Sequence, residues 1–167
     1  MTANHMIYPG SFDPVTLGHL DILERAVRLF GRVTVLVAET GKAGLLSAEV
    51  RVAMLEEATA GLPGVEVAPF SGLLVDAVRT RQADGVIRGI RSAGDYEHEW
   101  SLSGVNSLLN ADVESVYLLA RPDLAAVSSS LVRDVVRHGG PLDKLVPACV
   151  ARELERLFGP PGPVNPG

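Results

Sequence analysis

The chain carries one cysteine, Cys149, and two lysines, Lys42 and Lys144, among 167 residues. A single thiol excludes an internal disulfide framework and a thiolate metal cage, and it suits a reducing compartment. A cytoplasmic location is the expectation. No apolar run approaches the ~20 residues that span a bilayer. The first residues, MTANHMIYPGSF, lack the basic start and long apolar region of a secretory signal. A basic excess is missing too: 15 Lys and Arg face 20 Asp and Glu, for a net charge of −5. That argues against nucleic acid or a membrane surface as partner. A small polyanionic ligand stays open, provided a local cluster of cations meets it, and with so few lysines arginine must supply most of them. Also absent are the P-loop pattern and a Gly-x-Gly-x-x-Gly fingerprint after the first apolar run. Neither a P-loop kinase nor an ordinary nicotinamide dehydrogenase is therefore supported.

What is present is a regular alternation of two kinds of segment. With 47% hydrophobic and 21% charged residues the composition is that of a folded domain. Strand-like runs at 5–9, Arg32–Ala38, 65–70, 85–89 and Glu114–Ala120 are rich in β-branched residues. Between them lie helical patterns: one from Gly18 to just before Gly31, one capped by Ser47 and closed by Gly61, and others at 73–82, 95–110 and 128–138. A last helix is expected at Pro147–Phe158. This order predicts βαβ units and an α/β, Rossmann-like doubly wound sheet of about five parallel strands with helices on both faces. Residues 1–158 read as one domain, and 159–167, GPPGPVNPG, as a flexible tail. His5 and His138 read as surface residues.

In such folds ligands bind outside the carboxyl ends of the strands, and the segments expected there share a chemistry. After the first strand comes YPGSFDPVTLGH, Tyr8–His19, dense in turn formers and closing on Thr16-Leu17-Gly18-His19 at a helix start. Free N–H groups and the helix dipole at such a start favour an anion. Gly18 would let a phosphate approach, and the His19 ring can donate to phosphate oxygens. Asp13, beside Pro14, reads as a residue that holds the turn. The remaining strand ends offer Lys42, the arginines of RGIRSAGDYEHE, and the serine run of RPDLAAVSSS. Together they describe a site for phosphorylated ligands. His98, Asp95 and Glu99 do not make a complete metal-ligand set.

YPGSFDPVTLGH closely resembles the first motif of the nucleotidyltransferases that carry a Thr/His-x-Gly-His signature. With GVIRGIRSAGDYEHE and VSSSLVRDV at matching spacing, residues 5–158 resemble bacterial phosphopantetheine adenylyltransferases. The resemblance implies transfer of the adenylyl group of ATP to 4′-phosphopantetheine, giving dephospho-coenzyme A and pyrophosphate, with magnesium as cofactor and a homohexamer as assembly. It places Ser11 and Phe12 where the two substrates meet and makes His19 the donor to the α-phosphate. Ser11, Lys42, Leu74 and Arg88 fall at positions that hold phosphopantetheine. Gly89, Ile90, Arg91 and Glu99 match ATP contacts, as does the loop Leu124, Ala125, Ala126, Val127, Ser128, Ser129 and Ser130. Many relatives have an aromatic residue where Leu124 stands and a tyrosine where His98 stands. Arg133, in SSSLVR, resembles the arginine that ends a related motif, and its contact with phosphate is left open.

The chemistry agrees with what the residues lack. The acceptor phosphate is already an anion near neutral pH, with a second pKa of ~6, so neither a general base nor a Ser, Cys or Lys nucleophile is required. Positioning and charge stabilisation remain. Three rivals stand beside this reading: a nucleotidyltransferase acting on nicotinamide mononucleotide, one that makes a CDP-alcohol, and a non-catalytic nucleotide-binding regulator on the same fold.

Overall fold

The computed structural model describes residues 4–39, 44–110 and 113–162. Five strands, β1 (Asn4–Gly10), β2 (Gly31–Ala38), β3 (Val65–Phe70), β4 (Gly85–Ile90) and β5 (Glu114–Leu119), alternate with four helices, α1 (Leu17–Phe30), α2 (Ala48–Thr59), α3 (Leu74–Thr80) and α4 (Ala93–Leu109). The chain ends with α5 (Ser129–Arg137) and α6 (Ala148–Phe158). Every strand pair is parallel, in the order β3-β2-β1-β4-β5. The chain begins in the middle of the sheet, builds outward to β3, then crosses back past β1 to β4. That reversal puts a crevice between the carboxyl ends of β1 and β4.

Side-chain alternation divides the core. Met6, Tyr8, Val33, Val35 and Val37 face a large cluster with residues of α1, α2, α5 and α6, among them Leu23, Leu55, Val132 and Leu154. Ile7, Leu36 and Val86 face a smaller cluster with Val75 and Val78 of α3. Burial on both faces is why these strands read as nearly continuous apolar runs. The second face is thin, and none of the 17 residues of α4 is buried.

Helix ends follow local chemistry. α1 opens at Leu17, one residue earlier than expected, because the Thr16 side chain caps it. Gly31, at φ 89°, turns the chain out of the helix. α4 starts before Asp95 because the Ser92 hydroxyl accepts the Asp95 N–H. The expected site residue Lys42 lies outside the described residues, as does most of the expected tail.

The expectation for His5 is overturned. His138 is exposed, but His5 keeps only 7% of its surface. Its Nε2 lies 2.8 Å from Thr34 Oγ1, and its N–H donates to the Asp84 carboxylate. A histidine at the start of a strand looks solvated until its cross-strand neighbour Thr34 supplies a polar partner. Burial, reinforced by the Arg32 charge, holds the ring below its ordinary pKa of 6.5, with a hydrogen bond to the Arg81 backbone and the Glu66 and Asp84 charges acting the other way. The unfolded chain therefore binds this proton first, and stability is lost as pH falls below about 6.5 toward the lowered folded value. His5→Gln, which cannot titrate, should lose less of its Tm between pH 7 and pH 5 than the wild type in thermal denaturation. Equal losses would show that His5 does not contribute.

Candidate active site

The crevice is a cavity of about 320 Å³. Its floor comes from the turn after β1. Phe12 has φ 47°, in the left-handed region, and only 2% of its surface is exposed. Its ring packs edge-on against Tyr8 at 5.4 Å and His19 at 5.0 Å. Gly10 lies close beneath it, and a Cβ there would sit a tight 3.0 Å from the ring. The turn is tied down from both sides. The buried Asp13 carboxylate accepts the N–H groups of Leu45 (2.7 Å) and Leu46 (2.9 Å). From α5, Arg133 donates to the Asp13 carbonyl at 2.8 Å and Ser129 Oγ donates to the Pro14 carbonyl at 2.9 Å.

His19 is the third residue of α1, and the Thr16 cap fixes its state. Its N–H donates to Thr16 Oγ1 (3.3 Å), while its own Nδ1 receives the Thr16 backbone N–H (3.1 Å). A backbone N–H can only donate, so Nδ1 carries no proton and the ring proton of the neutral form sits on Nε2. Burial, with help from the Arg91 charge, pushes the His19 pKa down to about 4. At neutral pH the ring is thus an uncharged Nε2–H donor on the cavity wall.

The opposite wall comes from β4 and α4. Arg88 Nε lies 3.1 Å from Glu99 Oε2, both groups mostly buried, yet this oxygen forms no well-directed hydrogen bond among the described residues. Arg91 pairs with Asp95 at 3.0 Å. The roof is the segment after β5. It is clasped to α1 by Asp21, whose carboxylate meets Arg25 at 3.0 Å and Arg121 at 2.8 Å. This segment leads into α5, where Ser128 is the N-cap and Ser130 Oγ accepts from Arg133. Three guanidiniums, those of Arg88, Arg91 and Arg133, line the cavity against the single carboxylate of Glu99. Asp95 and Asp13 stand just behind Arg91 and Arg133, so each of the three guanidiniums has a carboxylate within 4.0 Å.

Of the residues singled out from sequence, Ser11, Phe12, His19, Arg88, Gly89, Arg91, Glu99, Leu124, Val127, Ser128, Ser129 and Ser130 line this one cavity. Ile90, Leu74, Ala125 and Ala126 are not among its lining. Ile90 is buried, and Leu74 opens α3 beside the smaller core cluster. Sequence reasoning passed over Tyr8, Ile22 and Ala120, which also line it. Their apolar character marks them as core, and only the topology brings them to the crevice.

A doubly wound parallel sheet, a switch-point cavity and a Thr-x-Gly-His turn at its centre define a nucleotidyltransferase of the cytidylyltransferase-like class, and that family's description matches residues 7–135. The phosphopantetheine adenylyltransferase of Opitutus terrae is 45% identical over 156 residues, 93% of this chain and 98% of the relative. Those of Parasynechococcus marenigrum (44% over 153 residues, 91% of this chain and 94% of the relative) and Proteus mirabilis (42% over 157 residues, 93% and 98%) match over similar spans. The chain belongs to the phosphopantetheine adenylyltransferase family.

The imidazole geometry is directly measurable. In an NMR pH titration of the free protein, His19 should titrate with a midpoint about 4, and its proton should sit on Nε2 at pH 7. A midpoint near 6.5 would contradict the half-buried, Thr16-bound ring.

Proposed function

We infer that the chain transfers the adenylyl group of ATP to 4′-phosphopantetheine, forming dephospho-coenzyme A and pyrophosphate in coenzyme A biosynthesis. The observation that carries this reading is the pairing of a neutral Nε2–H donor, His19, with three guanidiniums in one switch-point cavity. In the reaction an oxygen of the acceptor phosphate forms a bond to the α-phosphorus. The bond from that phosphorus to the bridging oxygen of the β-phosphate breaks, and its electron pair leaves with pyrophosphate. No proton must be removed from the nucleophile, so the chain's task is to hold two anions together and stabilise the charge that builds between them.

Each wall has a part in this proposal. His19 Nε2–H donates to an α-phosphate oxygen as charge accumulates there. Ser11, beside the turn, contacts both substrates. Arg88 takes the acceptor phosphate, exchanging Glu99 for it. Arg91 and the start of α5, with Ser128, Ser129 and Ser130, face the triphosphate, where the N–H groups of the first turn suit an anion. Magnesium is proposed to arrive on the ATP phosphates as part of the substrate complex. The residues do not fit a resident metal: the Asp13 carboxylate is taken up by two amides, and no group of three or more potential ligands occurs among the described residues. A cytoplasmic site of action goes with the substrates.

The homohexamer is proposed on the strength of α4. Its exposed apolar side chains include Trp100, 64% exposed, and Leu108, 88% exposed, with Tyr96 and Val105. Apolar exposure on this scale along one helix marks a surface that another protein covers. By analytical ultracentrifugation the wild type should sediment at six times the protomer mass, and the double variant Trp100→Glu, Leu108→Glu at a smaller multiple. A wild-type monomer would end this part of the proposal.

The activity itself is tested with purified protein, ATP, magnesium and 4′-phosphopantetheine, following pyrophosphate release. Turnover is expected, and His19→Ala should lower kcat on the order of 10²-fold or more, as loss of one charge-stabilising donor does. Absence of turnover, with product formed instead from nicotinamide mononucleotide or from CTP, would move the chain to another branch of the class. An unchanged kcat in His19→Ala would take the imidazole out of the mechanism.

A further inference from the structure

Arg51, near the start of α2, is the bulkiest side chain that the fold buries completely, at 1% exposure. Among the described residues it takes part in no ion pair. Its donors go to main-chain carbonyls. Nε bonds those of Leu46 and Ser47, at 3.3 Å each, and Nη1 bonds those of Ser11 and, at 2.8 Å, Ala38. A buried charge without a counter-ion is costly to desolvate, and an apolar residue on the inner face of α2 would cost nothing of the kind. The guanidinium fork is suited to what it does here, because its planar, fixed donors reach carbonyls lying in different directions.

Those carbonyls belong to three separate segments: the turn after β1, the end of β2, and the approach to α2. Ser11, whose carbonyl is held, immediately precedes Phe12 in its left-handed conformation, and the Phe12 ring packs on His19. Non-glycine residues adopt that backbone region only when their surroundings enforce it. Asp13 grips the turn on the far side of Phe12 through Leu45 and Leu46. Arg51 grips it on the near side.

We propose that Arg51 is a positioning residue for the reaction: by fixing the Ser11 carbonyl it sets the Phe12 backbone, and through the Phe12 ring it sets the orientation of His19. It touches neither substrate. The proposal extends the adenylyl-transfer reading to a residue outside the cavity and rests on that reading for its kinetic consequences alone.

Two variants and two readouts test it. Arg51→Lys keeps the charge but has a single nitrogen where Nε holds the Leu46 and Ser47 carbonyls and Nη1 those of Ser11 and Ala38, so it cannot hold both groups at once. Its kcat should fall by roughly tenfold to 10²-fold, the scale of a small misplacement of a reacting group, while KM for ATP stays within about threefold because Arg91 and the serines at the start of α5, which hold most of the triphosphate, are untouched. In the free protein, the His19 titration midpoint should rise toward the ordinary value as the ring loses its Phe12 cover. Arg51→Ala should regain part of its kcat on addition of millimolar guanidinium, which can occupy the vacated space, and not on addition of equal ammonium. Wild-type kcat together with an unmoved His19 midpoint in Arg51→Lys would overturn the proposal. So would a loss of activity explained wholly by the unfolded fraction, with no guanidinium rescue in Arg51→Ala. If the wild type fails to turn over 4′-phosphopantetheine, the functional reading fails, and the His19 midpoint in Arg51→Lys still decides the role of Arg51.

Discussion

The site depends on one turn, Gly10 to Thr16, whose geometry is imposed from below by charged side chains kept out of water. Asp13 accepts two amides on one side of Phe12, and Arg51 donates to the Ser11 carbonyl on the other. Either group alone would be an expensive thing to bury, and each becomes tolerable because its polar atoms are met by main chain. Their combined effect is a segment that holds a phenylalanine at φ 47° and so presents a flat aromatic edge to His19. Everything on the cavity's other walls is arranged around that fixed face.

A parallel sheet explains why the walls can be assembled at all. It delivers every strand's carboxyl end to one edge, so segments far apart in the chain meet there. The interactions that join them span long separations: Arg133 to Asp13, Arg25 to Leu119, Arg51 to Ser11. The strands and helices themselves were readable from sequence because period and caps are local properties, and the shift of α1 to Leu17 or of α4 to Ala93 follows from a single capping hydroxyl. The residues around His19 were readable because a Thr-x-Gly-His turn is itself local. The partnerships were not. Nothing near His5 in the sequence announces Thr34, and nothing near Asp13 announces Leu45 and Leu46. Nothing near Arg51 in the sequence announces the Ser11 and Ala38 carbonyls that it holds.

The state of His19 follows from the same local economy. In the proposed reaction a neutral Nε2–H, locked by the Thr16 amide at Nδ1, donates to the α-phosphate more strongly as charge builds there in the transition state. Differential stabilisation of that kind raises kcat, whereas uniform attraction only tightens binding. In that proposal the arginines carry the bulk of the attraction, and the histidine acts on the charge that develops.

Two kinds of polar pairing therefore coexist in a small volume, and they differ in whether a ligand can replace them. Arg51, Asp13 and the Thr16–His19 cap are satisfied by the chain itself, and no phosphate can improve on a carbonyl already in place. Arg88 and Arg91 are held by carboxylates, Glu99 and Asp95, that an incoming phosphate can displace. The Arg88–Glu99 contact is the weaker kind of pair: close in distance, mostly withdrawn from water, and without a well-directed hydrogen bond at Glu99 Oε2. A bidentate phosphate offers the guanidinium better geometry than this carboxylate does. The two carboxylates thus keep the cations from repelling one another while giving them partners they can readily leave. That is how a chain with a net charge of −5 can hold a concentrated positive patch without being destabilised by it.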